Sequence, residues 1–251
     1  MKIIAIIPAR YASSRLPGKL ILPEVKAATG KYILEHVYQN AIQAKRISRV
    51  IVATDSKLIY DVVRGFGGEV EMTSVLHTSG TDRIAEVVKQ LDADVIINVQ
   101  GDEPEMSASR VDQVADTLVE NKDAVMATLA TKIKTTEELS NPNVVKVVLD
   151  NNGYALYFSR SQIPYVRDGK NPIDTRGISF LRHLGIYAYK REFLVEYANL
   201  PATPLENAEK LEQLRALSNG YKIKVAVTNC ISRGIDTRDD LMAFIERYKH
   251  D

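Results

Sequence analysis

Three runs in the N-terminal part of the chain, KIIAIIP, RVIVAT and DVIINVQ, are apolar through their middles, without polar residues on alternate positions. A strand with one face in water alternates; a strand covered on both faces does not, so these runs predict buried parallel strands. The stretches between them follow a helical period. YILEHVYQNAIQAK places Ile33, Val37, Ala41 and Ala44 on one face, and TDRIAEVVKQL continues likewise, with Thr81 and Asp82 in its first turn. Strand and helix in alternation predict an α/β fold with a mostly parallel sheet flanked by helices. Ligands in such folds gather beyond the carboxyl ends of the strands. Pro8, Thr54–Asp55 and Gln100–Gly101–Asp102 fall at those ends.

Past Val144 the pattern changes. VVKVVLDNNGYALYFSR contains two β-rich runs joined by Asn151-Asn152-Gly153, a hairpin signal. The turn-rich residues 171–179 read as a loop, HLGIYAYK as a strand, and REFLVEYANL and LENAEKLEQLRALSNG as helices, the latter as one helix ending at Gly220. KIKVAVTN predicts a further strand and TRDDLMAFIERYK a closing helix capped by Thr237. With no repeat or linker in evidence, residues 1–251 are expected to form one domain, with about 144–200 as an inserted β-rich lobe.

Charge and cysteine usage narrow the function. Lys and Arg number 33 against 32 Asp and Glu, a formal charge of +1, which lacks the basic excess of a non-specific nucleic-acid binder. Cys230 is the single cysteine, so neither an internal disulfide nor a thiolate cluster is available, which fits a reducing compartment. No run approaches the ~20 apolar residues of a spanning helix, and IIAIIP stops too soon for a secretory signal. The expectation is a cytoplasmic protein with no membrane partner.

Three clusters carry chemistry. IIPARYASSRLPGK strings Arg10, Arg15 and Lys19 along the loop after the first strand. It is neither a Walker loop nor a dinucleotide fingerprint, but backbone amides with two arginines and a lysine suit a polyphosphate. NVQGDEP places Asp102 and Glu103 past a glycine at a strand end, where carboxylates can hold Mg²⁺ beside phosphates; Asp236 in GIDT offers a distant second ligand. HTSGTDR is small and polar before a helix, suited to the edge of a base, although locally a helix cap with a surface arginine describes it better. His183 and Tyr187 share one face of a strand, and Glu209, Glu212 and Gln213 share one helical stretch. No nucleophile elbow is present. Metal-assisted phosphoryl or nucleotidyl transfer, which asks chiefly for positioning and charge neutralisation, matches this inventory.

Taken in order, PARYASSRLPGK, ATDS, HTSGTDR, NVQGDEP, YALYFSRSQIP, HLGIYAY, EKLEQLRAL and GIDT resemble the motifs of 3-deoxy-manno-octulosonate cytidylyltransferases, the CMP-Kdo synthetases, from about Ile3 to about Leu241. The resemblance implies a Rossmann-like nucleotidyltransferase fold, a homodimer, and the reaction CTP + Kdo → CMP-Kdo + diphosphate, serving lipopolysaccharide synthesis. It implies that the loop from Pro8 and Ala9 through Arg10 and Arg15 to Lys19 embraces the triphosphate. Thr54, Asp55, Ser79, Gly80, Thr81 and Arg83 would then contact the nucleotide, with Gln100 beside it. Asp102 and Asp236 would hold Mg²⁺ and, together with Lys19, form the catalytic group. Arg160, His183, Tyr187, Glu212 and Gln213 would hold the acidic eight-carbon sugar.

Two departures from the family pattern are visible. GKLILPEVKAATGK lacks the usual proline after Lys19 and is longer before the next Gly-Lys, and ATDS has a hydroxyl at Ser56 where a second carboxylate is usual. The 8-amino analogue of Kdo and other acidic sugars are alternative acceptors. A non-catalytic nucleotide- or sugar-binding regulator is the alternative of a different class, and the paired aspartates speak against it.

Overall fold

The structure, a computed structural model, describes residues 1–12, 16–77, 79–167, 177–229 and 233–250; Arg15, Cys230 and the expected loop residues 171–176 lie outside them. The chain runs β1 (Ile3–Ala9), a 3-10 turn (Lys19–Ile21), α1 (Pro23–Thr29), α2 (Ile33–Ile42), β2 (Arg49–Thr54), α3 (Lys57–Gly65), β3 (Val70–Met72), α4 (Gly80–Val88), β4 (Val95–Asn98) and α5 (Ala108–Glu120). It continues through β5 (Met126–Lys132), α6 (Thr136–Ser140), β6 (Lys146–Leu149), β7 (Ala155–Ser159) and β8 (Leu181–Lys190). The last elements are α7 (Arg191–Tyr197), α8 (Pro204–Glu209), α9 (Gln213–Ser218), β9 (Ile223–Thr228) and α10 (Arg238–His250).

Two compact units emerge, Met1–Ala115 with Ser232–Asp251, and Asp116–Ile231. The expected lobe at about 144–200 falls inside the second.

In the first unit β1 pairs in parallel with β2 on one side, from Ile4–Arg49 to Ala9–Thr54, and with β4 on the other. β3 extends the sheet beyond β2, also in parallel. Ile4, Ile6, Ile7, Ile51, Ile96 and Ile97 are fully enclosed, which is why their runs show no polar alternation. α2, α3 and α4 pack against these strands. Because all four strands run the same way, the chain leaves Ala9, Thr54 and Asn98 at one edge of the sheet, where the loops with polar residues begin. Gly101 fits closely there: a Cβ on it would stand 3.1 Å from the Pro8 carbonyl oxygen, a contact tight enough that the backbone would have to give way.

The stretch after Lys19 that departs from the family pattern is ordered. Pro23 opens α1 at its first position, where a missing N–H costs nothing, and Gly30 ends it at φ 78°. Ser56, the other departure, caps the N-terminus of α3, a task a carboxylate would serve as well.

In the second unit β5 lies between β8, antiparallel, and β9, parallel; β6 pairs antiparallel with both β7 and β8. The β6–β7 hairpin forms where Asn-Asn-Gly predicts it, with Gly153 at φ 76° and Asp150 Oδ1 accepting from the amides of Asn152 and Tyr154, both at 2.8 Å. One expectation is corrected. LENAEKLEQLRALSNG is not one helix but two, α8 and α9, broken at Lys210, a non-glycine residue at φ 53°. Glu209 closes the first helix, Glu212 caps the second and Gln213 opens it.

Candidate active site

The first unit brings three expected residues to one point. Lys19 stands on the 3-10 turn that follows Gly18, whose left-handed backbone (φ 67°) lets its amide return to the Tyr11 carbonyl at 3.1 Å. From there the Lys19 ammonium donates to Asp102 Oδ2 at 2.5 Å, to Asp236 Oδ1 at 2.9 Å and to the Ile235 carbonyl at 2.9 Å. The Ile235 amide in turn donates to the Asp102 carbonyl at 2.9 Å, tying the GIDT stretch to the turn after β4. Burial alone would lower the Lys19 pKa, but the two carboxylates outweigh it and hold the ammonium above its ordinary value.

Asp102 and Asp236 therefore converge on a single positive charge. Their donor set is all oxygen, the type a hard divalent ion takes. Among the described residues no group of three or more His, Cys, Asp or Glu side chains comes together as a metal site. An ion held by this pair would complete its shell with water and ligand oxygens, as Mg²⁺ habitually does. On that test the pair fits Mg²⁺.

Nearby, the ends of β2 and β3 are clamped to α4. Arg83, fully enclosed on the helix, donates from Nη2 to Asp55 Oδ2 at 2.6 Å and from Nη1 to the Thr73 hydroxyl. Ser79 caps α4, accepting from the Asp82 amide at 3.0 Å, and Gly80 lies against Pro8, where a Cβ would meet Pro8 Cγ at 3.3 Å. Thr54 and Thr81 are buried, Thr54 accepting from the Ser56 amide at 3.2 Å. Ala9 is buried, Arg10 is exposed and Gln100 is half-buried, its amide 3.4 Å from Asn98 Oδ1. Of the residues expected to touch the nucleotide, Thr54 and Arg83 thus hold neighbouring groups, and Thr81 is buried. Residue 78 lies outside the described set; His77 is held by Glu86, whose carboxylate also accepts from the Ser74 amide at 2.9 Å and is lowered chiefly by that bond.

The second unit gathers the expected sugar residues. His183 and Tyr187 do share a face of β8, with ring centroids 5.3 Å apart, although the strand bulges between Leu184 and Tyr187; two extra residues keep the parity. The Thr128 hydroxyl lies 3.0 Å from His183 Nε2, and Phe158 meets the imidazole edge-on at 5.0 Å. Half-buried beside these groups, His183 has its pKa pushed down to about 3 by desolvation and is a neutral ring. The Tyr187 hydroxyl donates to Gln213 Oε1 at 3.3 Å, and buried Gln213 Nε2 has no partner among the described residues. Glu212 is not aligned with Glu209 on one helix; its carbonyl accepts from the Tyr197 hydroxyl at 2.6 Å.

Arg160 is held almost wholly by backbone carbonyls: Nε donates to Glu209 O at 2.7 Å and Nη1 to Pro142 O at 3.0 Å. The Glu209 carboxylate accepts from the Ser159 hydroxyl at 2.6 Å and the Arg160 amide at 2.9 Å. Beneath this lies a group the sequence reading passed over. Lys146 is fully buried and donates to Asn141 O at 3.0 Å and Arg160 O at 2.5 Å, its pKa lowered by burial and by the Arg160 charge. A lysine amid four valines in VVKVV was the available signal.

The comparisons with known proteins agree in direction. The family model described as cytidylyltransferase matches residues 4–223. A 3-deoxy-manno-octulosonate cytidylyltransferase of Geotalea daltonii is 50% identical, with 99% of each chain covered. One of Fusobacterium nucleatum is 49% identical over 99% of this chain and 98% of its own. Among solved structures, CMP:2-keto-3-deoxy-manno-octonic acid synthetase complexed with CTP superposes with a TM-score of 0.91 at 39% identity, covering 100% of this chain and 99% of that one. A cytidylyltransferase from Leptospira borgpetersenii shares the fold alone, with a TM-score of 0.65 at 17% identity.

Proposed function

The chain belongs to the 3-deoxy-manno-octulosonate cytidylyltransferase family, and from that premise we propose that it transfers CMP from CTP to the anomeric hydroxyl of Kdo and releases diphosphate. The product would serve lipopolysaccharide synthesis, and the enzyme would work in the cytoplasm as a Mg²⁺-dependent homodimer. No described helix is long and apolar enough to cross a membrane. One observation carries the reading: Lys19, Asp102 and Asp236, the outermost 217 positions apart, meet at one point in a chain whose relatives of that name match it end to end.

In this reading CTP is the ligand of the first unit's group. Arg10, Arg15 and Lys19 bind the phosphates and offset the charge of the departing diphosphate. Pro8, Ala9, Ser79 and Gly80 supply backbone and small side chains for close approach of the nucleoside, and Arg83 fixes Asp55 and the end of β3 beneath it. Asp102 and Asp236 would hold Mg²⁺, which when bound polarises the α-phosphate and neutralises developing charge. The sugar acid is the ligand of the second unit's group. Arg160 faces its carboxylate with a positive charge; Gln213, Tyr187 and neutral His183 offer hydrogen bonds to its hydroxyls. The anomeric oxygen bonds to the α-phosphorus as the bond from that phosphorus to the diphosphate oxygen breaks. No side chain is assigned as general base.

The test is a panel of donors (CTP, UTP, ATP) against acceptors (Kdo, its 8-amino analogue, a sialic acid), read by diphosphate release. The expected result is release with CTP and Kdo at least tenfold faster than with any other pair. Preference for another acceptor would move the assignment to that sugar; ligand binding with no release for any pair would make the protein a binder.

A further inference from the structure

We propose that Lys19 is the resident occupant of the Asp102–Asp236 pair, an internal cation that a divalent metal must displace, so that lysine and metal are alternative states of one site. The inference rests on the reading of those aspartates as metal ligands.

The count of hydrogens carries it. An ammonium has three N–H groups. All three are engaged, by Asp102 Oδ2 at 2.5 Å, Asp236 Oδ1 at 2.9 Å and Ile235 O at 2.9 Å. In this state Lys19 has no donor left for a phosphate, and its charge stands where an ion shared by the two carboxylates would stand. Lysine and dication on the same oxygens would repel each other. Nor is the arrangement incidental: two carboxylates brought together without a cation repel each other, and the Lys19 ammonium between them offsets that repulsion. Its side chain is 12% exposed, against 46% for Asp236, so the site opens on the Asp236 side while the lysine reaches it from within. The four-carbon stem gives the ammonium a way out. Phosphate oxygens would give it a new acceptor, and by linkage any nucleotide that draws Lys19 away strengthens metal binding at the pair.

The experiment uses Mn²⁺ as the probe and no nucleotide, so it does not depend on which reaction the enzyme catalyses. Free Mn²⁺ is followed by electron paramagnetic resonance for the wild-type protein, for Lys19→Met, and for Lys19→Met combined with Asp236→Asn. The expected result is at least tenfold tighter binding in Lys19→Met than in wild type, lost again in the double variant. Equal affinity in wild type and Lys19→Met would overturn the displacement. Tight binding that survives in the double variant would overturn it too and, in addition, remove the metal role of Asp236. A second measurement guards against a variant that fails to fold: reductive methylation of Lys19 in the wild type, read by peptide mass spectrometry over a rising Mn²⁺ series up to millimolar. Labelling of Lys19 should climb as Mn²⁺ rises; labelling that stays flat across the whole series would overturn the proposal. Failure of the donor and acceptor panel with success here would leave a metal site served by Lys19 and discard only the reaction.

Discussion

Arg83 shows how a buried cation can organise the strand ends around it. Its guanidinium is enclosed, and it holds Asp55 at 2.6 Å and the Thr73 hydroxyl, fixing the ends of two strands where the nucleoside is expected. Removing the charge outright would strand a part-buried carboxylate, a loss of about 3–5 kcal/mol, and would confuse binding with folding. Arg83→Lys keeps the charge and loses the fork that reaches two partners at once. A charge-assisted hydrogen bond contributes about 1.5–3 kcal/mol, so we expect a KM for CTP raised about tenfold or more, since tenfold corresponds to about 1.4 kcal/mol. The KM for the sugar acid should stay within about twofold, because the charge-assisted bonds lost lie only on the nucleoside side. Steady-state kinetics with each substrate varied in turn would check this; an unchanged KM for CTP would show that Arg83 is purely a core residue.

The break between α8 and α9 has a comparable role among the elements. A continuous helix would bind the carbonyls of Glu209 and Lys210 into its own ladder. With Lys210 in the left-handed region those carbonyls are released, and Arg160 takes them, Nε to Glu209 O at 2.7 Å and Nη2 to Lys210 O at 3.5 Å. The Glu209 side chain completes the arrangement by accepting from Ser159 and from the Arg160 amide. Glu209→Gln leaves one acceptor oxygen where there were two and removes a negative charge that works against the lowering of the Lys146 pKa by burial and Arg160. We expect the KM for the sugar acid to rise about tenfold with the KM for CTP unchanged, again on the order of one charge-assisted bond. A uniform rise in both would mean that the break supports only the fold. This element also marks where the sequence stops being readable. The parallel half of the fold is legible because Ile4, Ile6, Ile51 and Ile97 are buried on both faces and leave continuous apolar runs. Nothing comparable marks Lys210: no glycine or proline stands in LENAEKLEQLRALS, and the helical period runs straight through a kink that tertiary hydrogen bonds impose. The site divides in the same manner. Polar residues at strand ends announce its location, but that Lys19 bridges Asp102 and Asp236 depends on chain separations of 83 and 217 residues, beyond any local pattern. Arg83 is the opposite case: HTSGTDR alone reads as a helix cap with a surface arginine, and its enclosure depends on tertiary bonds to Asp55 and Thr73 that no local pattern shows.

For the molecule as a whole, falling pH removes stability that desolvated histidines contribute, and His36 is the case in the first unit. His36 on α2 is 7% exposed, with Nε2 at 2.9 Å from the Thr29 hydroxyl on α1 and its ring against Phe244 and Tyr248 on α10. Burial, and secondarily the Lys31 charge, push its pKa down to about 4 from the ordinary 6.5. The folded protein therefore binds this proton more weakly than the unfolded chain does. Its contribution is complete above about pH 6.5 and is lost as pH falls toward 4, at about 1.4 kcal/mol for each pH unit between the two pKa values, or roughly 3 kcal/mol in all. His183, held near 3, extends the same loss to lower pH in the second unit. Protonating 32 carboxylates against 33 fixed cations also builds a large positive charge, so a falling stability in acid would not by itself implicate histidine. The difference between wild type and His36→Gln does, because the glutamine cannot titrate while every other group is common to both. At pH 7 the variant should be the less stable, having lost ring packing; as pH falls from 6.5 to 4 the gap should close by up to about 3 kcal/mol. Urea unfolding at pH 7, 5.5 and 4 measures it, and parallel acid limbs for the two proteins would show that His36 titrates alike folded and unfolded, against the burial that ties α1, α2 and α10 together around it.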